Sequence, residues 1–128
     1  MSANTTPIFP ITPRVEAVEI VNADGTTKKS LLTPGSNGTR INKVAACSDD
    51  TASVTLKFYY SKDAGSTFLY LGSIAINAGA ETNVTTGIKL ADAASGLVLP
   101  YGTVLYASAG AAVTLGKTVS VSVSGSDY

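Results

Sequence analysis

Hydrophobic and polar residues alternate without a break from Ser53 to Tyr60. Val54, Leu56, Phe58 and Tyr60 share one side; Ser53, Thr55, Lys57 and Tyr59 share the other. A period of two predicts a β-strand with one face on a core. The alternation returns from Ala112 to Ser124, where Val113, Leu115, Val119, Val121 and Val123 are in phase and Lys117, after Gly116, interrupts. Arg14–Val21 predicts a first strand, but Val15 and Ala17 lie on one face while Val18 and Ile20 lie on the other. That change of phase predicts a bulge or a strand buried on both faces. Asn22-Ala-Asp-Gly25 then reads as a hairpin turn leading into Thr27–Thr33, because Asp-Gly tolerates the positive φ of tight turns.

Further strands are expected at Arg40–Cys47 and Thr67–Ile76, the latter returning antiparallel to Ser53–Tyr60 through the turn Ser61-Lys-Asp-Ala-Gly65. Both faces of Thr67–Ile76 are apolar: Phe68, Tyr70, Ile74 and Ile76 against Leu69, Leu71 and Ala75. One face is expected on the core and the other on a partner, which marks Leu69 and Leu71 as interface candidates. Gly72 predicts a bulge or a close backbone approach. A turn at Asn77-Ala-Gly79, a short polar strand over Glu81–Thr85 and a single helical turn over Leu90–Ser95 follow. Leu97–Leu99, the corner Pro100-Tyr-Gly102 and Thr103–Ala109 read as strand, corner and strand, with Tyr101 a further interface candidate. About eight short strands punctuated by turns predict an all-β fold, an antiparallel β-sandwich or jelly roll, with a small closed barrel as the alternative. No long amphipathic helix is available for a parallel crossover.

The first thirteen residues follow another rule. Pro7, Pro10 and Pro13 recur every three residues, the period of a polyproline II helix. Ile8, Phe9 and Ile11 are left on the other edges, where a stiff extended arm cannot bury them against itself. The reading is an arm over residues 1–13 followed by a sandwich domain over 14–128, with Pro7, Ile8, Phe9, Pro10, Ile11 and Pro13 as partner-binding residues. At ~3.1 Å per residue such an arm reaches roughly 40 Å.

Composition sharpens the picture. Charged residues make up 14% of the chain, and nine Lys and Arg balance nine Asp and Glu. Soluble monomers usually keep their net charge away from zero, so this balance favours association, while small polar residues offer solubility as the alternative. No basic cluster is present to engage phosphates, which argues against nucleic acid. The first residues lack the charged start and apolar core of a secretion signal, and no apolar run reaches membrane-spanning length. The tripeptides Asn4-Thr-Thr6, Asn37-Gly-Thr39 and Asn83-Val-Thr85 match a glycosylation pattern that a Thr-rich chain also produces by chance. Cys47, the single cysteine, is expected as a small buried hydrophobe.

The absence of histidine removes the commonest general base and metal ligand and every triad that depends on it. A pair of carboxylates for glycoside hydrolysis would have to come from Asp49, Asp50, Asp63, Glu16, Glu19 or Glu81, which read better as turn and surface residues. Asp49 and Asp50, or Asn22-Ala-Asp-Gly25, are weak calcium candidates, since the remaining ligands of a calcium loop are missing. No phosphate-loop motif is present, so no cofactor is expected. Six tyrosines and three phenylalanines remain. Tyr59, Tyr60, Tyr70, Tyr101 and Tyr106 fall in or near strands, where they serve either a core and interface or a sugar platform.

The run Tyr60-Ser-Lys-Asp-Ala-Gly-Ser-Thr-Phe-Leu-Tyr-Leu-Gly-Ser-Ile-Ala-Ile76 resembles a sandwich hairpin of small tailed-bacteriophage virion proteins. So does the ending from Leu99-Pro-Tyr-Gly-Thr-Val-Leu-Tyr106 through Val113–Val121 to Gly125-Ser-Asp-Tyr128. The resemblance covers roughly residues 40–128 and is one of style, without a signature motif. It implies a non-enzymatic structural role: a capsid decoration, or cement, protein on the outer surface of the virion. Its expected partners are the major capsid protein and copies of itself, commonly as a homotrimer. A low-copy tail, connector or fibre-base subunit is the alternative within that group, and a carbohydrate-binding module for host-surface glycans is the alternative outside it.

Overall fold

The computed structural model describes residues 11–76, 78, 84–85 and 97–128. Nine strands run through them: β1 Thr12–Val21, β2 Lys29–Leu32, β3 Thr39–Ser48, β4 Val54–Ser61, β5 Leu69–Ile76, β6 Val84–Thr85, β7 Leu97–Leu99, β8 Val104–Ala109 and β9 Thr118–Asp127. They form two antiparallel sheets, ordered β1-β9-β3-β6 with β7 also on β3, and β2-β8-β4-β5.

The pairing is nested. β1 pairs with β9, β2 with β8, β3 with β6 and β7, and β4 with β5, as in one long hairpin whose tip is the β4–β5 turn. The ribbon is rolled so that successive pairs fall in alternate sheets, and β3–β9 and β4–β8 ladders join them. This is the jelly-roll arrangement, which takes its place over the barrel. The expected hairpin at Asn22–Gly25 is therefore replaced by a bridge between sheets, since β1 and β2 do not pair. Asn22–Asp24 forms one 3-10 turn, and the Asp24 carboxylate accepts the Val21 N–H at 2.8 Å. Turn chemistry reverses the chain here without dictating its next partner.

The core lies between the sheets, where Ile20, Val44, Val119 and Val121 of one meet Leu56, Phe58, Ile76 and Leu105 of the other. Two bulges tune which side chains reach it. On β3 the register shifts between Ile41 and Lys43 opposite β9, so Ile41 and Val44, three apart, are both buried. On β5, Phe58 pairs with Gly72 and Tyr59 with Tyr70, leaving Leu71 as the extra residue. Leu71 thereby joins Ile74 and Ile76 on the inner side, and Tyr70 turns out. The bulge expected at Gly72 is present, while the simple two-face division of Thr67–Ile76 is corrected by it.

β1 contains no bulge. Its pairing with β9 is regular from Thr12 to Val21, and its inner side carries Arg14 and Glu16 before Val18 and Ile20. Strand pairing begins at Thr12, two residues ahead of the expected domain start. β1 and β2 are the edges of their sheets, and two basic side chains stitch them together. The Arg14 guanidinium donates to the Thr33 carbonyl at 2.7 Å, and Lys29 Nζ donates to the Glu19 carbonyl at 2.6 Å. Side chains spanning an open edge in this way deny it to other strands. At the far end the alternation from Ala112 breaks at the turn Thr114–Lys117, closed by the Lys117 N–H on the Thr114 carbonyl, so Leu115 is exposed at a loop tip instead of sharing the face of Val119. Gly116 supplies the positive φ, 82°, that this turn requires.

Candidate functional site

The two ends of the sandwich differ in chemistry. One end is closed by polar contacts. Asp50 is buried and its carboxylate accepts the Thr114 N–H at 2.9 Å, the Thr114 hydroxyl at 2.7 Å and the Ala52 N–H at 3.0 Å. These donors, led by the Thr114 backbone N–H, hold the Asp50 carboxyl below its ordinary pKa. Asp49 accepts the Thr118 N–H at 2.7 Å, and the Asn22 side chain donates to the Val113 carbonyl at 2.7 Å. The adjacent carboxylates Asp49 and Asp50 thus point to different backbone donors and tie loops to β9. Among the described residues no group of three metal-ligating side chains comes together.

The opposite end is where the N-terminal segment joins. Ile11 donates its N–H to the Asp127 carbonyl at 2.8 Å, and Thr12 sits opposite Asp127. Asp127 in turn faces Thr39, and Thr39 faces Leu99, which places four strands side by side at this end. The Asp127 carboxylate takes the Thr39 hydroxyl and the Arg14 guanidinium. Exposed apolar side chains stand near this polar knot. Ile11 is 77% exposed and Tyr101 74% exposed, with Val98 and Leu69 also open to solvent. A groove of about 400 Å³ is lined by Tyr60, Leu71, Val98, Leu99, Pro100, Thr103 and Lys62.

Of the arm residues, Pro7, Ile8, Phe9 and Pro10 lie outside the described residues; Ile11 is exposed and Pro13 stands opposite Ser126 in β1. Leu69 and Tyr101 are exposed, whereas Leu71 packs partly against the core. Cys47 is half-buried on the outer face of its sheet, beside Ala17, Ala45, Ser120 and Ser122, and not in the core. An alternating strand sends Ala46 inward and its neighbour Cys47 outward. Tyr59, Tyr70 and Tyr106 come together on the outer face of the β2-β8-β4-β5 sheet; Tyr60 lines the groove and Tyr101 stands apart at its corner. Val98 was not distinguishable as a contact residue from sequence, since Val-Leu before Pro100 reads equally as core.

No protein-family model and no curated protein matches this sequence. A solved structure resembles it in part. That structure is the cyanophage Pam1 capsid asymmetric unit, one chain of which is 19% identical with a TM-score of 0.46. The similarity covers 100% of this chain and 94% of that one.

Proposed function

We propose that this chain is a non-catalytic structural protein of a bacteriophage particle, a decoration subunit that binds the outside of the capsid shell and stabilises it. The observation that carries the reading is the apolar end of the jelly roll. Leu69, Val98 and Tyr101 are exposed there, Val98 on a groove shared with Tyr60, Leu71 and Pro100, and Ile11 is exposed where a Pro-rich hydrophobic segment enters the fold. Exposed apolar surface gathered in one place marks an interaction site. Zero net charge and few charged residues suit a protein that lives packed against others. Jelly rolls occur in capsid proteins and in lectins alike, so the surface and not the fold has to choose between them.

In this reading the N-terminal segment spreads over a neighbouring subunit of the major capsid protein, and the subunits associate as homotrimers. The arm must be withdrawn before the joint beneath it opens, so many copies resist internal pressure together. The test is the copy number of the chain per purified particle, by quantitative mass spectrometry against the major capsid protein. Hundreds of copies are expected. A handful or a dozen would assign the chain to the tail or portal vertex, and absence from particles would overturn the reading. A chain lacking residues 1–11 should fold but fail to occupy shells; full occupancy would remove the arm from the mechanism.

A further inference from the structure

The outer face of the β2-β8-β4-β5 sheet carries a patch that shell docking leaves unused. The ladders set Tyr106 opposite Tyr59 and Tyr59 opposite Tyr70, so three tyrosines form one row across β8, β4 and β5. The Tyr59 and Tyr70 rings lie 5.4 Å apart. Phe68 stands edge-on to Tyr106 at 4.9 Å and to Tyr59 at 6.2 Å. Tyr70 remains 58% exposed.

The patch is also basic. Lys28 Nζ sits 4.7 Å from the centre of the Tyr59 ring and 4.9 Å from that of Phe68. Lys57, one row along the same face, extends the other way, toward Gly110, and is not part of the patch. The ion pairs among the described residues use Arg14 and Lys29, not Lys28. Asp63, in the turn before Phe68, is taken up by the Ser61 hydroxyl at 2.7 Å and the Thr67 N–H at 2.8 Å. Ring faces therefore hold a cation that makes no ion pair among the described residues.

We propose that this patch binds an acidic polysaccharide, with a sugar ring stacked on the exposed Tyr70 and its carboxylate on Lys28, which covers the neighbouring Tyr59 ring. The C–H face of a pyranose packs on tyrosine rings, while the phenolic hydroxyls meet its ring hydroxyls. A carboxylate reaching Lys28 supplies the missing charge through a charge-assisted hydrogen bond. Two strand spacings, roughly 10 Å, give the row room for two linked sugars. An apolar protein surface fits less well, because it would strip water from Lys28 without pairing it.

The row adjoins the groove residues Tyr60 and Leu71 along the chain, and failure of sugar binding leaves the shell-binding reading intact. The test is titration of the full chain with tetragalacturonate and with maltotetraose, a neutral sugar of the same length, followed by calorimetry and NMR. Binding of tetragalacturonate is expected to shift Tyr59, Tyr70 and Lys28 signals and to weaken with salt. Lys28→Gln and Tyr70→Ala should each lower affinity by about tenfold, with Tyr101→Ala unchanged. Both altered side chains reach solvent, and thermal melting checks that the variants remain folded. Equal affinity for maltotetraose, no binding of either sugar at millimolar concentration, or unchanged affinity in the folded variants would overturn the proposal.

Discussion

The carboxylate of Asp50 and the backbone N–H of Thr114, 2.9 Å apart, fasten the loop after β3 to the turn that begins β9. The Thr114 hydroxyl binds the same side chain from 2.7 Å. Asp50→Ala leaves buried donors without an acceptor, and hydrogen bonds to charged groups are worth about 1.5–3 kcal/mol. A loss of about 2 kcal/mol in urea unfolding is expected, with Asp50→Asn intermediate because its carbonyl oxygen still accepts one bond. Wild-type stability in Asp50→Ala would show that the contact contributes nothing.

Stability should fall in acid. Asp50, Asp24 and Asp63 are each held below the ordinary carboxylate value of 3.8, by Thr114, by the Val21 N–H and by the Ser61 hydroxyl respectively. A group with a lowered folded-state pKa favours the folded state above its ordinary value. That contribution drains away as the pH drops below 3.8 and is gone once the folded-state value is passed. Melting temperature should hold level near neutrality and decline below about pH 5, with a shallower decline in Asp50→Asn. An acid limb of equal slope in that variant would count against Asp50.

Gly125 should accept no side chain. A β-carbon there would collide with the backbone carbonyl of Arg40, beside the β3 bulge, where no flexible side-chain end can give way. Gly125→Ala is expected to cost about 3 kcal/mol or more, or to prevent accumulation of folded protein. Ser124→Ala, next to it on β9, serves as the control and should melt within a few degrees of the parent. Similar melting of the two variants would mean that β3 and β9 approach less closely than described.

Leu71 offers a test of register by deletion. As the extra residue of the β5 bulge, its removal lets Tyr70 and Gly72 pair consecutively with Tyr59 and Phe58. The shortened chain should fold, losing about 1.5–3 kcal/mol for one apolar side chain, and keep the cross-strand contact between Phe58 and Gly72 by NMR. Phe58→Ala, which empties the centre of the core, should cost about 3–5 kcal/mol. A deletion that unfolds the protein outright would show that the bulge is needed for more than aiming Leu71.

Local pattern carried much of this fold. The alternation through Val54, Leu56 and Phe58 placed β4 and its buried face, and Gly72 marked the irregularity in β5. What the sequence left open was who lies beside whom. β1 closes on β9, more than a hundred residues away, and nothing near Val15 or Val121 encodes that partner. Asn22-Ala-Asp-Gly25 carries hairpin chemistry yet passes between sheets, because the long-range ladders outweigh a turn's local preference. The aromatic patch was half legible. Tyr59, Tyr70 and Tyr106 stood out by type, but only strand register puts them in one row. Phe68 shares Tyr70's face by alternation, but Lys28 showed no sign of joining them. Arg14 and Glu16 shifted the phase of β1 because charges occupy its inner side where the two sheets open to solvent.

The pairing of Thr12 with Asp127 has a mechanical meaning. β1 starts at that pole and runs away from it for ten residues against β9. Tension drawn outward through the N-terminal segment along the strand axis loads the whole ladder in shear, so its hydrogen bonds must yield together. The same tension directed sideways, away from β9, peels them one pair at a time. The grip of the first strand therefore depends on the direction of pull, strongest when whatever holds the segment lies straight beyond the pole.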